Sequence, residues 1–220
     1  MKITARGEEI HLLPEKAFFW PKEKILGFSD VHLGKAESFQ KMGIPLPSGE
    51  HLEDLENISN LIESTGATRV FILGDLVHAK SSWTENIERS LDQFFEKHKL
   101  IEWNLLLGNH ERGSLKKLEG FPIQLMPEHH RIGDIIFSHG HLEMNEGESA
   151  FQIAGHVHPV TVLHEGSVRL RLPCSVFEED YLILPSFGKL TGGYEVRNKK
   201  NQRLFAVAGS EVFEVNSKTR

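Results

Sequence analysis

The chain has 220 residues, a formal net charge of −6, 39% hydrophobic and 25% charged residues, and a single cysteine, Cys174. These values describe a soluble globular protein with no apolar run long enough to cross a membrane and no internal disulfide, and the acidic balance argues against a tight nonspecific grip on nucleic acid. The outlying number is the 13 histidines, since histidine is the commonest metal ligand and a frequent acid–base group. The N-terminus holds no apolar segment of signal-peptide length, so a cytoplasmic protein is expected. No Pro/Ser/Gly-rich linker divides the chain, and one domain over residues 1–220 is expected.

Residues 1–21 read as short strands about a turn at residues 7–9. An apolar run from Ile25 to Phe28 follows and stops at Ser29-Asp30-Val31-His32. Residues 34–43 read as a loop or short helix, and the IPLP of residues 44–47 breaks the chain. Ser48 then reads as an N-cap for a helix over 50–64, with Leu52, Leu55, Ile58, Leu61 and Ile62 at helical spacing and Gly66 as its stop. Residues 68–73 form a β-rich run that ends in Gly74-Asp75. Ser82-Trp83-Thr84-Glu85 fits a capping box for a helix through Lys97 with Ile87, Leu91, Phe94 and Phe95 on one face.

Strands are expected over 101–107, ending in Gly108-Asn109-His110-Glu111, over 132–137, ending in Ser138-His139-Gly140-His141, and over 151–154, ending in Gly155-His156-Val157-His158. A short helix over 114–118 lies between the first two. Beyond residue 158 the pattern is strand at 160–163, 168–172, 181–184 and 203–207, with a hairpin turn at 198–201. The glycine-rich stretch 188–193 lacks the spacing of a phosphate-binding loop and reads as structural.

Five strand ends therefore offer Asp30 and His32, Asp75, Asn109 and His110, His139, and His156 with His158. Ligands in open α/β sheets gather outside the carboxyl ends of the strands, and residues i and i+2 of an extended chain face one side. Ser or Gly near each group lets the backbone turn sharply toward a shared centre. Oxygen and nitrogen donors without thiolate suit Mn, Fe or Zn. With His110 set aside, the seven donors are too many for one ion with open positions and enough for two that share a carboxylate, for which Asp75 is the natural bridge. His78 is placed beside the site, and His141 either near it or in a structural role. His129-His130 reads as a solvated turn, His11, His51, His98 and His164 as ordinary, Cys174 as a buried small hydrophobe, and Trp20, Trp83 and Trp103 as packing residues.

In order, these blocks resemble the calcineurin-like metallophosphoesterases, whose pattern is D-x-H, G-D, G-N-H-D/E, H and G-H-x-H. The stretches LRLPCSVF (170–177) and LILPSFGKLTGG (182–193) extend the resemblance to the ligase-associated DNA-damage-response phosphoesterases, the PdeM group. One departure is His78, where many superfamily members carry Asp or Asn three residues after the G-D aspartate. The resemblance implies an α/β fold, a four-layer α/β/β/α sandwich of two packed mixed sheets. It implies two divalent ions, with Mn as the metal expected from the family and Fe or Zn as others. Asp30, His32 and His158 would hold one, Asn109, His139 and His156 the other, and Asp75 would bridge. His110 would face substrate and act on the transition state or leaving oxygen, with Glu111 orienting it.

Such a pair of ions clamps a phosphate and activates water near neutral pH. The expected function is that of a phosphodiesterase acting on DNA in repair, as an endonuclease or end-processing nuclease. The DNA reading rests on the resemblance, because the sequence shows no basic groove. A phosphodiesterase or phosphatase for small substrates is the alternative, favoured by the acidic balance, and a catalytically silent scaffold is the third. A DNA ligase and a helicase are the implied partners, and a homodimer is open.

Overall fold

Alternation of buried and exposed side chains makes the first twenty residues a meander rather than a helix. The computed structural model, which describes residues 1–47, 49–142, 150–166 and 168–215, shows three antiparallel strands here: β1 (Lys2–Ala5), β2 (Glu8–Leu13) and β3 (Ala17–Trp20). β4 (Ile25–Phe28) pairs antiparallel with β3. From β4 the sheet turns parallel, through β5 (Arg69–Ile72), β6 (Glu102–Leu106) and β7 (Ile123–Met126), giving the order β1-β2-β3-β4-β5-β6-β7.

Helices cross between the parallel strands: α1 (Lys35–Lys41), α2 (Glu50–Thr65), α3 (Glu85–Lys97) and the single turn α4 (Leu115–Leu118). α2 buries Leu55, Ile58, Leu61 and Ile62 as its spacing predicts, but Leu52 is 51% exposed. Its N-cap is Gly49 at φ 100°, and the expected cap Ser48 lies outside the described residues. The stop is as expected, with Gly66 left-handed and its N–H donating to the Ile62 carbonyl at 3.0 Å. α3 starts two residues later than its capping box suggests. Thr84, not Ser82, is the cap, its Oγ1 accepting from the Ile87 N–H at 3.3 Å, because residues 80–82 are taken up in a tight 3₁₀ turn. None of the described helices is long and apolar enough to cross a membrane.

The second sheet is built from β8 (His129–Ile132), β9 (Ile135–Ser138), β10 (Phe151–Ala154), β11 (Pro159–Glu165), β12 (Val168–Phe177), β13 (Tyr181–Ile183), β14 (Tyr194–Glu195), β15 (Arg203–Ala208) and β16 (Glu211–Glu214). Its main order is β14-β11-β12-β13-β10-β9-β8, with β15 on β12 and β16 on β15. β9, β10 and β13 run parallel, while the other pairs are antiparallel except β11 with β14. β8 corrects the turn expected at His129-His130. His130 is half-buried and stacks on Phe71 at 5.6 Å, contact enough to hold an extended backbone.

Two apolar layers hold this arrangement. Between the sheets, Phe18, Phe71, Leu73 and Leu106 meet Phe137, Phe151, Ile153 and Phe205. On the other face of the first sheet, Phe28, Val70, Ile72 and Leu105 pack against α2 and α3. Trp20, Trp83, Trp103 and Cys174 are all buried, as packing residues should be. The expected class, α/β with two packed mixed sheets, is the one observed, with a helical layer on the first sheet. From β8 onward every described element is a strand, so the outer helical layer of the four-layer expectation is not seen among the described residues.

Candidate metal centre

Strand polarity brings the site together. β4, β5 and β6 run parallel in one sheet and β9 and β10 run parallel in the other, and the candidate groups follow their C-terminal ends. The backbone then turns abruptly. Asp30, His32, Asp75, His156 and His158 all take the left-handed conformation, with φ of 57°, 54°, 53°, 68° and 50°. Residues with a Cβ rarely adopt it, at about 1–3 kcal/mol each. The strain is held by backbone bonds between the two loops, since the Asp30 N–H donates to the Gly74 carbonyl (3.1 Å) and the His32 N–H to the Asp75 carbonyl (2.9 Å). Two glycines make the close approach possible. A Cβ on Gly155 would lie 1.7 Å from Ser29 Oγ, and one on Gly108 would lie 2.3 Å from Asp75 Oδ1.

Three groups of donor atoms result, each with all members within 4.8 Å of one another: Asp30, His32 and His158; Asp75, His139 and His156; and His32, His78 and His110, which shares His32 with the first. Asp75 lies between the first two. Its Oδ2 is 3.5 Å from His139 Nε2, 3.9 Å from His32 Nε2 and 3.8 Å from His110 Nε2. Asn109 lines a cavity together with His139 and His156. Six of the seven expected donors thus fall in the first two groups, and Asn109 lies on the cavity beside the second.

The donor chemistry fits cations. His139 Nδ1–H donates to the Leu73 carbonyl at 2.8 Å, so its Nε2 presents a lone pair. That lone pair faces a carboxylate oxygen of Asp75 and stands 3.1 Å from His156 Nδ1. These groups would suit a cation held among them. In the first triad the buried Asp30 Oδ1 and His158 Nε2 are paired at 2.9 Å, a carboxylate oxygen and an imidazole nitrogen between which a cation would take the place of the shared proton. Burial drives the His32 imidazole down to about 3, which keeps it neutral and able to ligate. Burial also pushes the Asp30 carboxyl up, but the bonds from His158 and Ser29 outweigh it and hold Asp30 below the usual carboxylate range.

His110 lies outside the two triads that contain Asp30 and Asp75 and forms the third group with His32 and His78. Its backbone N–H donates to Asp75 Oδ1 (3.0 Å), and its Nδ1–H donates to the His78 carbonyl. Its ring stacks on His78 at 5.2 Å and meets His32 edge-on at 4.9 Å. His78 is therefore beside the site, as expected, and burial lowers it to about 4. Glu111 does not orient the His110 ring. Its fully buried carboxylate accepts from the backbone N–H groups of Asp75 (3.1 Å), Leu76 (2.7 Å) and Gly108 (2.9 Å), so it ties the loop after β5 to the loop after β6. Burial, then the nearby Asp75 charge, raises its pKa, and the three N–H bonds oppose that rise. His141 belongs to neither triad and lines the cavity, its ring edge-on to Tyr181 at 5.0 Å.

Several bracing residues carry no signal in the sequence. Ser29 Oγ donates to Asp30 Oδ2 (2.5 Å), and the His156 N–H reaches the same oxygen (2.9 Å). The chain after β13 closes over Asp30 from the other side, with Ser186 Oγ and the Gly188 N–H both donating to the Asp30 carbonyl. The glycine-rich stretch 188–193 begins at this brace, which gives its structural reading a location.

Residues 23–210 match the family model of the calcineurin-like phosphoesterases. A solved structure described as a nuclease, MPE, of Pseudomonas putida is 29% identical, with a TM-score of 0.81 over 98% of this chain and 99% of that one. The phosphoesterase Yfce of E. coli is 15% identical, with a TM-score of 0.45 over 87% of this chain and 97% of that one. No protein of curated function matches the sequence.

Proposed function

The chain belongs to the calcineurin-like phosphoesterases and is a metal-dependent hydrolase, and on that premise we propose that it cleaves phosphodiester bonds of DNA with a pair of divalent ions. The observation that supports the pair is the position of Asp75 Oδ2 between two triads. Asp30, His32 and His158 would hold one ion, Asn109, His139 and His156 the other, and Asp75 both. Manganese is the metal we favour, with iron or zinc also suited to a nitrogen–oxygen set free of thiolate. When bound, such ions draw charge from the phosphate oxygens and lower the pKa of water.

The remaining work falls to side chains. The Nδ1–H bond to the His78 carbonyl fixes the His110 ring and leaves Nε2 free; in the imidazolium form Nε2 carries the second proton, which it would give to the leaving oxygen, returning the ring to its neutral Nδ1–H tautomer. Glu111 keeps Asp75 at its station through the backbone. DNA as substrate is supported by the likeness, at 29% identity over nearly the whole of both chains, to a protein described as a nuclease. A role in repair beside a DNA ligase and a helicase follows the resemblance of residues 170–177 and 182–193; a cytoplasmic location is the expectation from the N-terminal sequence, and a homodimer is left open. Co-purification and sizing in solution test it. The net charge of −6 favours the alternative, a phosphodiesterase or phosphatase for small substrates.

A nicking assay separates these readings. Protein with Mn²⁺ is incubated with supercoiled circular DNA, beside a bis-aryl phosphodiester and an aryl phosphomonoester, with His110→Ala as control. Nicking that disappears in the variant is the expected result, since a closed circle offers no end. Turnover of the small esters, with circular and linear DNA both untouched, would overturn the nuclease reading.

A further inference from the structure

A cavity of ≈ 590 Å³ opens beside the second triad, within the range of about 300–1,000 Å³ in which ligand sites fall. One wall is made of Asn109, His139 and His156. His110 is not among its lining residues. The lining also includes Leu115, Leu142 and Val157, each half-buried, so apolar surface borders the cavity beside its ionic groups, Glu128 among them. Neither an ion nor a phosphate needs such walls. A flat, largely apolar group attached to the phosphate does.

Arg112 lies on the same cavity, three residues beyond Asn109 in the turn Glu111–Gly113. Its side chain is exposed and has no ion pair or hydrogen bond among the described residues. A free guanidinium in a chain of net charge −6 is suited to a phosphate, which it grips in a fork.

We propose that this cavity seats the nucleoside on the ester arm that stays attached to the scissile phosphate, and that Arg112 takes the next phosphate along the strand. The inference rests on the nucleic-acid reading above and adds the subsite that reads the polymer. The leaving arm belongs on the side of His110, and the cavity belongs to the other. A phosphomonoester has no second arm to fill it, and a small diaryl ester has no second phosphate for Arg112. The site therefore favours polynucleotide over both.

The test compares wild type, Arg112→Ala, Arg112→Glu and Arg112→Lys. The first readout is the ratio of kcat/KM for DNA to kcat/KM for a bis-aryl phosphodiester. The second is binding of a fluorescent oligodeoxynucleotide in EDTA, titrated across salt concentrations. Loss of one phosphate contact is expected to weaken binding about tenfold and to reduce the slope of log K against log[salt] by about 1. The kcat/KM ratio is expected to fall about tenfold in Arg112→Ala and further in Arg112→Glu, and Arg112→Lys is expected to restore most of it. An unchanged ratio and slope in Arg112→Glu, with wild type cutting DNA, would overturn the subsite alone. Equal losses on both substrates would also overturn it, by placing Arg112 at the reacting phosphate. Wild type that turns over the diaryl ester and cuts no DNA would instead remove the reading on which the subsite rests.

Discussion

The two sheets share a division between a parallel trunk and antiparallel wings. In the first, β4, β5, β6 and β7 form the trunk and β1 to β3 the wing. In the second, β9, β10 and β13 form the trunk, while β11–β12 and β15–β16 extend as hairpins. Every candidate ligand follows a trunk strand, and the loop after β13 braces Asp30. Parallel strands send all their C-terminal ends to one edge, so short loops can converge. Antiparallel neighbours send theirs to opposite edges and cannot. The wings supply burial instead, with Ile10, Phe18 and Phe205 fully enclosed.

If this division is right, trunk-end variants should lose chemistry and keep the fold. The largest effect is expected at Asp75→Ala, which removes the carboxylate between the triads. Loss of a group that only orients a metal ligand costs about 10–100-fold, and loss of a shared ligand should exceed that in turnover and leave one ion or none per chain. Metal analysis after gel filtration checks it, and two ions retained in the variant would contradict the bridge. His110→Ala comes next, with turnover down about 10²–10⁴-fold and metal content intact. Normal turnover in the metal-loaded variant would remove its proton-transfer role.

A smaller loss is expected at Glu111→Gln. An amide cannot accept from three backbone N–H groups as a carboxylate does, so the Asp75 loop should loosen and metal affinity fall about 10–100-fold. A metal titration indistinguishable from wild type would reduce Glu111 to packing.

Glu111 also marks where the sequence stops being informative. The candidate ligands are legible because each follows an apolar run and a small residue, a local pattern. The helical faces at Leu55 to Ile62 and Ile87 to Phe95 were legible for the same reason. What Glu111 does was not, because its partners are backbone groups of residues 75 and 76, 36 and 35 positions away. The left-handed turns at Asp30, His32, Asp75, His156 and His158 were hidden too. Non-glycine residues take that conformation only where the surroundings over-determine it, and no local signal announces it. β8 was misread because the pairing with β9 and the stack of His130 on Phe71 are tertiary contacts. Leu52 shows the reverse error, an apolar residue at helical spacing that is left 51% exposed.

The smallest effect on chemistry is expected in a wing. Phe18, in β3, is fully buried between the sheets and stacks on Phe137 at 5.8 Å. Gly27 opposite it leaves the room, since a Cβ there would lie 2.2 Å from the Phe18 ring. Phe18→Ala should therefore cost about 3–5 kcal/mol of stability, as truncation of a buried aromatic does. Turnover per folded, metal-loaded molecule should stay near wild type, because among the described residues no hydrogen bond of the site passes through β3. Denaturant unfolding read beside specific activity gives both numbers. A variant as stable as wild type would mean that the sheets close over the gap. A stable fold fraction with turnover down more than about tenfold, a loss of the size expected for disturbed ligand orientation, would mean that the wing tensions the trunk ends and that the division between burial and chemistry fails.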